Sequence, residues 1–341
     1  MAGRLCCSPT LLALRRRPFS LGPTSVRPRL HLSGYSKAFS STSHNRSKNQ
    51  EPLKTRLPLK TWDSHMHVVE PRYPVVANAA YKPTAPHTID DAIAFESSLG
   101  IENVVLVQPS IYGFDNTCLL DALRRIGPSR GRGVVVVDPA NTDTETLNEW
   151  HSLGVRGVRV NFKSVGTVPS ADELRQTLSE HARLTRPLGW MVQIHTAMDT
   201  IPLLEAIIPQ LGMKVCIDHF GGPDLQKVMW EHGDSFDPYS LPGFSSLISL
   251  LETGRTYVKV SAPYRLSKEA EFRDLDIIAR EFLRRAPNRV LYATDWPHTR
   301  FSNIDIEPFT EMCLRLCGTK DLAERVFRVN AEELMDSGLE I

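Results

Sequence analysis

The first fifty residues contain no aspartate and no glutamate, against nine basic side chains and nine serines. They also lack an apolar run long enough for a secretory signal. Leu11-Leu12-Ala13-Leu14 passes straight into Arg15-Arg16-Arg17, whereas such a signal needs about 7–15 apolar residues. An arginine- and serine-rich, acid-free leader has the composition of a mitochondrial transit peptide, so residues 1–50 are expected to address the protein to the mitochondrial matrix. The other 291 residues have the opposite balance, 31 basic and 39 acidic side chains, within a chain of formal net charge +1. An acidic body argues against nucleic acid as a partner, because phosphate binding needs clustered cations on the folded part. The chain nowhere approaches the roughly 18 uninterrupted apolar residues of a membrane span, so no integral membrane association is expected.

Two further absences narrow the class. Cys118, Cys216, Cys313 and Cys317 of the body form no C-x-x-C pair, which gives no sign of a zinc knuckle or a redox dithiol. Cys313 and Cys317, four apart, are expected on the buried face of a helix. No glycine-rich phosphate loop follows the first strand-like run, which speaks against a dinucleotide-binding open sheet.

What is present is alternation. Short Val/Ile/Leu/Met-rich runs, the pattern of strands buried on both faces, fall at Thr61–His65, Val104–Val107, Gly133–Val137, Gly157–Val160, Met191–His195, Val215–Asp218, Tyr257–Ser261 and Val290–Thr294. Between them lie helical patterns with start and stop signals. Thr88 opens one that stops at Gly100, Asn116 one that ends at Gly127, and Ser170 one that reaches Arg186-Pro187. A longer pattern spans Lys268 to Arg285. Eight strands separated by helices predict a single α/β domain over residues 51–341, a (β/α)8 TIM barrel.

In such a barrel the chemistry lies at the carboxyl ends of the strands. Those ends are polar here. Strand one runs into Asp63-Ser64-His65-Met66-His67, where alternation would put Asp63, His65 and His67 on one surface. Strand four leads through Arg159 and Asn161 to Lys163, strand five ends in His195, strand six in Asp218-His219, and strand eight in Asp295. A lone histidine usually belongs to the core or the surface, but a set gathered at strands one, five, six and eight is the pattern of a site. Asp295 can take a proton from water attacking a carbonyl and return it to the leaving oxygen. His65, His67 and His195 can polarise that carbonyl, either directly as hydrogen-bond donors or by holding a metal. Arg159 and Lys163 can bind a substrate carboxylate. Tyr264 and Arg265, just after strand seven, fall where a mouth loop should be.

These residues resemble the amidohydrolase superfamily, and within it the 2-pyrone-4,6-dicarboxylate lactonases. The resemblance covers about residues 60–335. It rests on D-S-H-M-H from Asp63, V-Q-P-S from Val107 with Asp115-Asn116, R-G-V-R-V-N-F from Arg156, Q-I-H ending at His195, I-D-H ending at His219, V-K-V-S from Val258, and T-D-W-P-H from Thr294. It implies a hydrolase opening a lactone with water, with Asp295 as general base and His65, His67 and His195 around the scissile carbonyl. Gln108, Ser110, Arg159, Asn161, Lys163, Tyr264, Arg265 and His298 would then be substrate contacts. It also implies that no cofactor is required. The alternative is one zinc ion on His65, His67, His195 and Asp295 with His219 nearby, as in related branches.

The chain departs from the resemblance at two places. Gly222 precedes Pro223-Asp224 where an arginine is expected, and Lys163-Ser164-Val165 lacks a second basic residue. Both departures favour a small-molecule lactone with fewer negative charges than a dicarboxylate. Two other readings stay open: a zinc-dependent decarboxylase or amidohydrolase on the same barrel, and a non-catalytic barrel that only binds. Homo-oligomer formation is also left open.

Overall fold

The computed structural model describes residues 51–336 apart from 80, 164–168, 231–234 and 270. The basic leader read in residues 1–50, and Ser164 and Val165, lie outside the described residues. Eight strands are present among those described: β1 Trp62–Met66, β2 Asn103–Val107, β3 Gly131–Val135, β4 Val155–Asn161, β5 Met191–His195, β6 Val215–Ile217, β7 Thr256–Val260 and β8 Val290–Tyr292. Each is followed by a helix: α1 Ile89–Leu99, α2 Thr117–Ile126, α3 Thr144–Ser152, α4 Ala171–Thr185, α5 Ile201–Glu205, α6 Phe244–Glu252, α7 Arg273–Arg285 and α8 Glu307–Cys317. All neighbours are parallel, in the order β1 to β8. Beyond the last rungs, Asp295 N donates to His65 O (2.9 Å) and His67 N to Trp296 O (2.8 Å), drawing the end of β8 onto the end of β1. The fold is the expected (β/α)8 barrel.

Local chemistry accounts for the boundaries. Thr88 and Ser170 cap α1 and α4 with reciprocal capping boxes to Asp91 and Glu173, and Gly100 closes α1 in the left-handed region. Asn116 does not cap α2 as expected. Its amide instead accepts from Val136 N (2.9 Å) and donates to Val136 O (2.8 Å), while Asp115 accepts from Thr117 N. The same bond to Val136 N ends β3 at Val135, two residues before the end read from the sequence. Helix α7 starts at Arg273, not Lys268, because Ser267 binds the Asp274 carboxylate and Glu269 N, holding the approach in a turn.

The barrel interior has two layers. The lower one is apolar: Trp62, Val105, Val134, Met191, Cys216, Tyr257 and Leu291, closed from the strands' N-terminal side by Ala331, Leu334 and Met335. β4 brings only Gly157 to this level, where a β-carbon would lie 2.9 Å from Met191 Cε. Above it comes a layer that is polar and equally dry. Gln193, Asp218 and Lys259 have no exposed surface, and Arg159 is 6% exposed. Cys313 and Cys317 are buried on α8, and Trp190 is a core residue whose Nε1 donates to His151 (2.9 Å).

Candidate active site

The site rises from that polar layer. Lys259 Nζ donates to Gln193 Oε1 (2.6 Å), and Gln193 Nε2 donates to Asp218 Oδ2 (3.1 Å). Arg159 Nη2 lies 3.5 Å from the same Asp218 oxygen, and Nη1 donates to Gln108 O (3.2 Å). His65 is set on this floor, with Nδ1 3.2 Å from Asp218 Oδ1 and 3.3 Å from Lys259 Nζ. Burial works against the charge of Asp218, but the groups gathered round it, the Lys259 ammonium among them, outweigh burial and hold the carboxyl well below the usual carboxylate range. Burial also pushes His65 and His195 well below the ordinary imidazole value, and His219 down to about 4, so all three are neutral at pH 7.

Asp295 faces the floor from the turn after β8. Its two oxygens have separate surroundings. Oδ2 accepts from Tyr264 Oη (2.5 Å) and Arg265 Nε (2.8 Å). Oδ1 faces His67 Nε2 at 3.5 Å and His65 Nε2 at 3.8 Å. Burial opposes its charge, yet the groups around it, the Arg265 guanidinium among them, outweigh that and keep Asp295 ionised far below its usual pKa. His67 donates from Nδ1 to Val107 O (2.7 Å), which leaves the Nε2 lone pair facing the pocket. His219 Nδ1 pairs with Ser261 Oγ (2.8 Å). Asp295, His219 and Ala262 all have φ between 50° and 63°, conformations that cost non-glycine residues about 1–3 kcal/mol each. That strain collects at the ends of β6, β7 and β8, where the side chains converge.

The other sequence candidates separate. Tyr264 and Arg265 are brought directly onto Asp295. Asn161 is in register with His195 at the end of β4. Gln108 is buried and turned toward its own loop, donating to Asp115 O (2.6 Å), while Ser110 is exposed. His298 is buried against Phe95 and Tyr264, with ring centroids 5.8 and 5.1 Å away. Asp63 does not share a surface with His65 and His67. A register shift against β2 between Asp63 and Met66 breaks the alternation, and the carboxylate turns to Thr294, accepting from its N (3.0 Å) and Oγ1. Glu96 of α1 lies beside it. Burial and the Asp63 charge push that carboxyl well above its usual value.

Lys259 and Gln193 were not singled out from the sequence as site residues. The available signal was a lysine and a glutamine inside runs otherwise made of Val, Ile and Met. Gly222 also looks different in three dimensions. A β-carbon there would meet Thr196 O at 2.3 Å and stand 3.3 Å from Lys163 Nζ. The loop as folded has no room for an arginine at 222, and the Lys163 ammonium lies beside that place.

The donor set also fits a metal in spacing and ligand type. One ligand atom from each of His65, His67 and Asp295 lies within 4.8 Å of the other two, and His65 Nε2 is a buried atom without a hydrogen-bond partner. His195, read as a further ligand, is not part of this group. Asp218 and His219 form a second group with His65. A cavity of about 840 Å³ lies elsewhere, among Arg186, Trp190, Lys214, Tyr257 and Arg289 at the N-terminal ends of the strands. It is far from the converging carboxylates and imidazoles, which mark the chemistry better than volume does.

A family model described as Amidohydrolase matches residues 62–336. The chain belongs to the amidohydrolase family. This amidohydrolase is 32% identical to the 2-pyrone-4,6-dicarboxylate hydrolase of Comamonas testosteroni over 71% of its length and 78% of that protein. It is 29% identical to the 4-sulfomuconolactone hydrolase of Hydrogenophaga intermedia, over 83% and 91% of the two chains. A solved structure from Pseudomonas putida described as a 2-pyrone-4,6-dicarboxylic acid hydrolase superposes with a TM-score of 0.68 at 30% identity, covering 83% of this chain and all of that one. These relatives correct one expectation from the sequence. They are bacterial enzymes, from cells that have no mitochondria and use no transit peptides, so the mitochondrial matrix assignment is not supported. None of the described helices is long and apolar enough to cross a membrane.

Proposed function

We propose that this amidohydrolase hydrolyses the ester bond of a small lactone bearing an anionic group, with residues 51–341 as one catalytic domain. One observation carries the reading. Asp295 has Oδ2 fixed by Tyr264 and Arg265, while Oδ1 opens toward His65 and His67. Water held between Oδ1 and the lactone gives its proton to Asp295 as its oxygen adds to the carbonyl carbon. The carbonyl electron pair moves onto oxygen, where His65 and His195 stabilise the charge as neutral donors. Collapse breaks the ring C–O bond, and the proton held by Asp295 passes to the leaving oxygen. Arg159 and Lys163 are assigned the substrate's anionic group, Asn161 the rim beside His195, and His298 the packing behind Tyr264. Gln108 and Ser110 are kept only as contacts through their loop. The lactone activities named for the two curated relatives support this reaction class.

A second reading is favoured by the spacing of His65, His67 and Asp295. A divalent ion held there would supply Lewis-acid polarisation of the carbonyl, leaving the roles of Arg159 and Lys163 unchanged. The test of the first reading is Asp295→Asn assayed on a panel of anionic lactones. We expect kcat to fall roughly 10²–10⁴-fold, the usual worth of a general base, with the thermal unfolding midpoint retained. Undiminished turnover would remove Asp295 from the mechanism.

A further inference from the structure

We infer that Lys259 is a positioning residue that fixes the proton of His65 on Nε2, so that His65 meets substrate as a hydrogen-bond donor and not as a metal ligand. Two groups reach Nδ1, the Lys259 ammonium and the Asp218 carboxylate. An ammonium has three protons and no lone pair, so its 3.3 Å contact with Nδ1 requires Nδ1 to contribute the lone pair. The Asp218 carboxylate oxygen 3.2 Å away would require the reverse, a proton on Nδ1. Alignment separates the two. The Lys259 contact has hydrogen-bond geometry, whereas Asp218 Oδ1 has no aligned donor. The remaining nitrogen agrees, because His65 Nε2 is buried without a partner and points toward Asp295 Oδ1 at 3.8 Å. An N–H there has an acceptor in view.

The ammonium has little freedom to do otherwise. Lys259 has no exposed surface. Gln193 Oε1 takes one of its protons at 2.6 Å, and Gln193 Nε2 is in turn tied to Asp218 Oδ2. Three fully buried polar side chains, from β5, the end of β6 and β7, therefore brace one imidazole. His67 is braced the opposite way, since its Nδ1 faces a carbonyl that can only accept. The two histidines next to Asp295 thus present unlike faces to the pocket, one a proton and the other a lone pair. A divalent ion needs the lone pair of both. Ligation by His65 Nε2 would have to move its proton to Nδ1, against the Lys259 ammonium.

The inference deepens the proposed lactone chemistry and rests on it for its catalytic meaning, but its test needs no substrate. Wild-type protein labelled with ¹⁵N in its histidine rings is read by long-range ¹H–¹⁵N correlation, with the His65 signals identified by their loss in His65→Gln. The expected pattern is a protonated Nε2 and a bare Nδ1 for His65, with the reverse for His67 as internal control. A bare Nε2 on His65 overturns the inference whether or not any lactone is turned over. In Lys259→Met, which keeps chain length and removes the donor, His65 should shift its proton to Nδ1 and zinc affinity by equilibrium dialysis should rise roughly 10–100-fold. On a lactone substrate, kcat should fall with KM unchanged. Unchanged zinc affinity in a folded Lys259→Met with a switched tautomer would overturn the exclusion of metal. If that variant does not fold, the wild-type spectrum alone decides the tautomer.

Discussion

Lys163 and Gly222 show how a residue's meaning depends on its neighbours in space. In sequence, Gly222 is a missing cation. In the fold, Thr196 O closes the space that a side chain would need, and the Lys163 ammonium stands beside it. One positive charge is thus offered from the loop after β4 instead of the one after β6, within coulombic reach of Arg265. A cation open to solvent is worth up to about 1 kcal/mol. Lys163→Met should therefore raise KM for an anionic lactone by up to about 5-fold, leave kcat alone, and have no effect on a neutral lactone. Equal losses on both substrates would show that Lys163 supports the loop and not the anion. The strand-end residues His65, His67, His195 and Asp295 were legible without coordinates because barrel topology says which sequence positions converge. The division of labour between the two oxygens of Asp295 was not, since it depends on where Tyr264 and Arg265 point.

At the level of elements, the eight strands could be read to within two residues at each end, because apolar runs buried on both faces are an unambiguous pattern. The errors came from side chains that take over backbone groups. Asn116 ends β3 by occupying Val136 N, and Ser267 delays α7. The register shift in β1 could not be read either, as alternation alone gives no sign of an inserted residue, and it turns the Asp63 carboxylate to Thr294 instead of to the pocket. The layering of the interior was hidden for a related reason: composition gives a strand's average polarity, not the height at which each side chain sits. That layering has a testable cost at its lower level. The Gly157→Ala methyl would be forced onto Met191, 2.9 Å away, and overpacking of this kind costs about 1–3 kcal/mol. Urea unfolding should show the loss, and Met191→Ala in the same chain should recover part of it. An unchanged midpoint would mean that Met191 moves aside freely.

The molecule as a whole stores neutral imidazoles in its interior, and this sets its response to acid. Burial lowers His298 to about 4 and lowers His181 as well. A histidine with a folded pKa below its unfolded value of about 6.5 stays neutral while the unfolded chain takes up protons. Its stabilising share is complete above pH 6.5 and is lost progressively as pH falls toward 4. Glu96 works in the other direction, because its raised value favours the folded state at low pH and loses that advantage as pH rises. The clean measurement is therefore a difference. The stability gap between wild type and His298→Gln, from urea midpoints, should shrink steadily from pH 6.5 to 4.5. A gap independent of pH would exclude His298 as a source of acid sensitivity. Asp218 and Asp295, held far below the usual range, stay charged throughout this interval.

Those two carboxylates stand against four cations, Arg159, Lys259 and Arg265 within the barrel and Lys163 at its rim. The centre therefore keeps two unmatched positive charges inside a body whose own charge is negative. On the proposed chemistry, a monoanionic lactone cancels one of them when it enters. Opening the ring makes a carboxylic acid, which then ionises and gives its proton to solvent. The second carboxylate cancels the charge that was left over, so charge alone does not expel what the reaction makes.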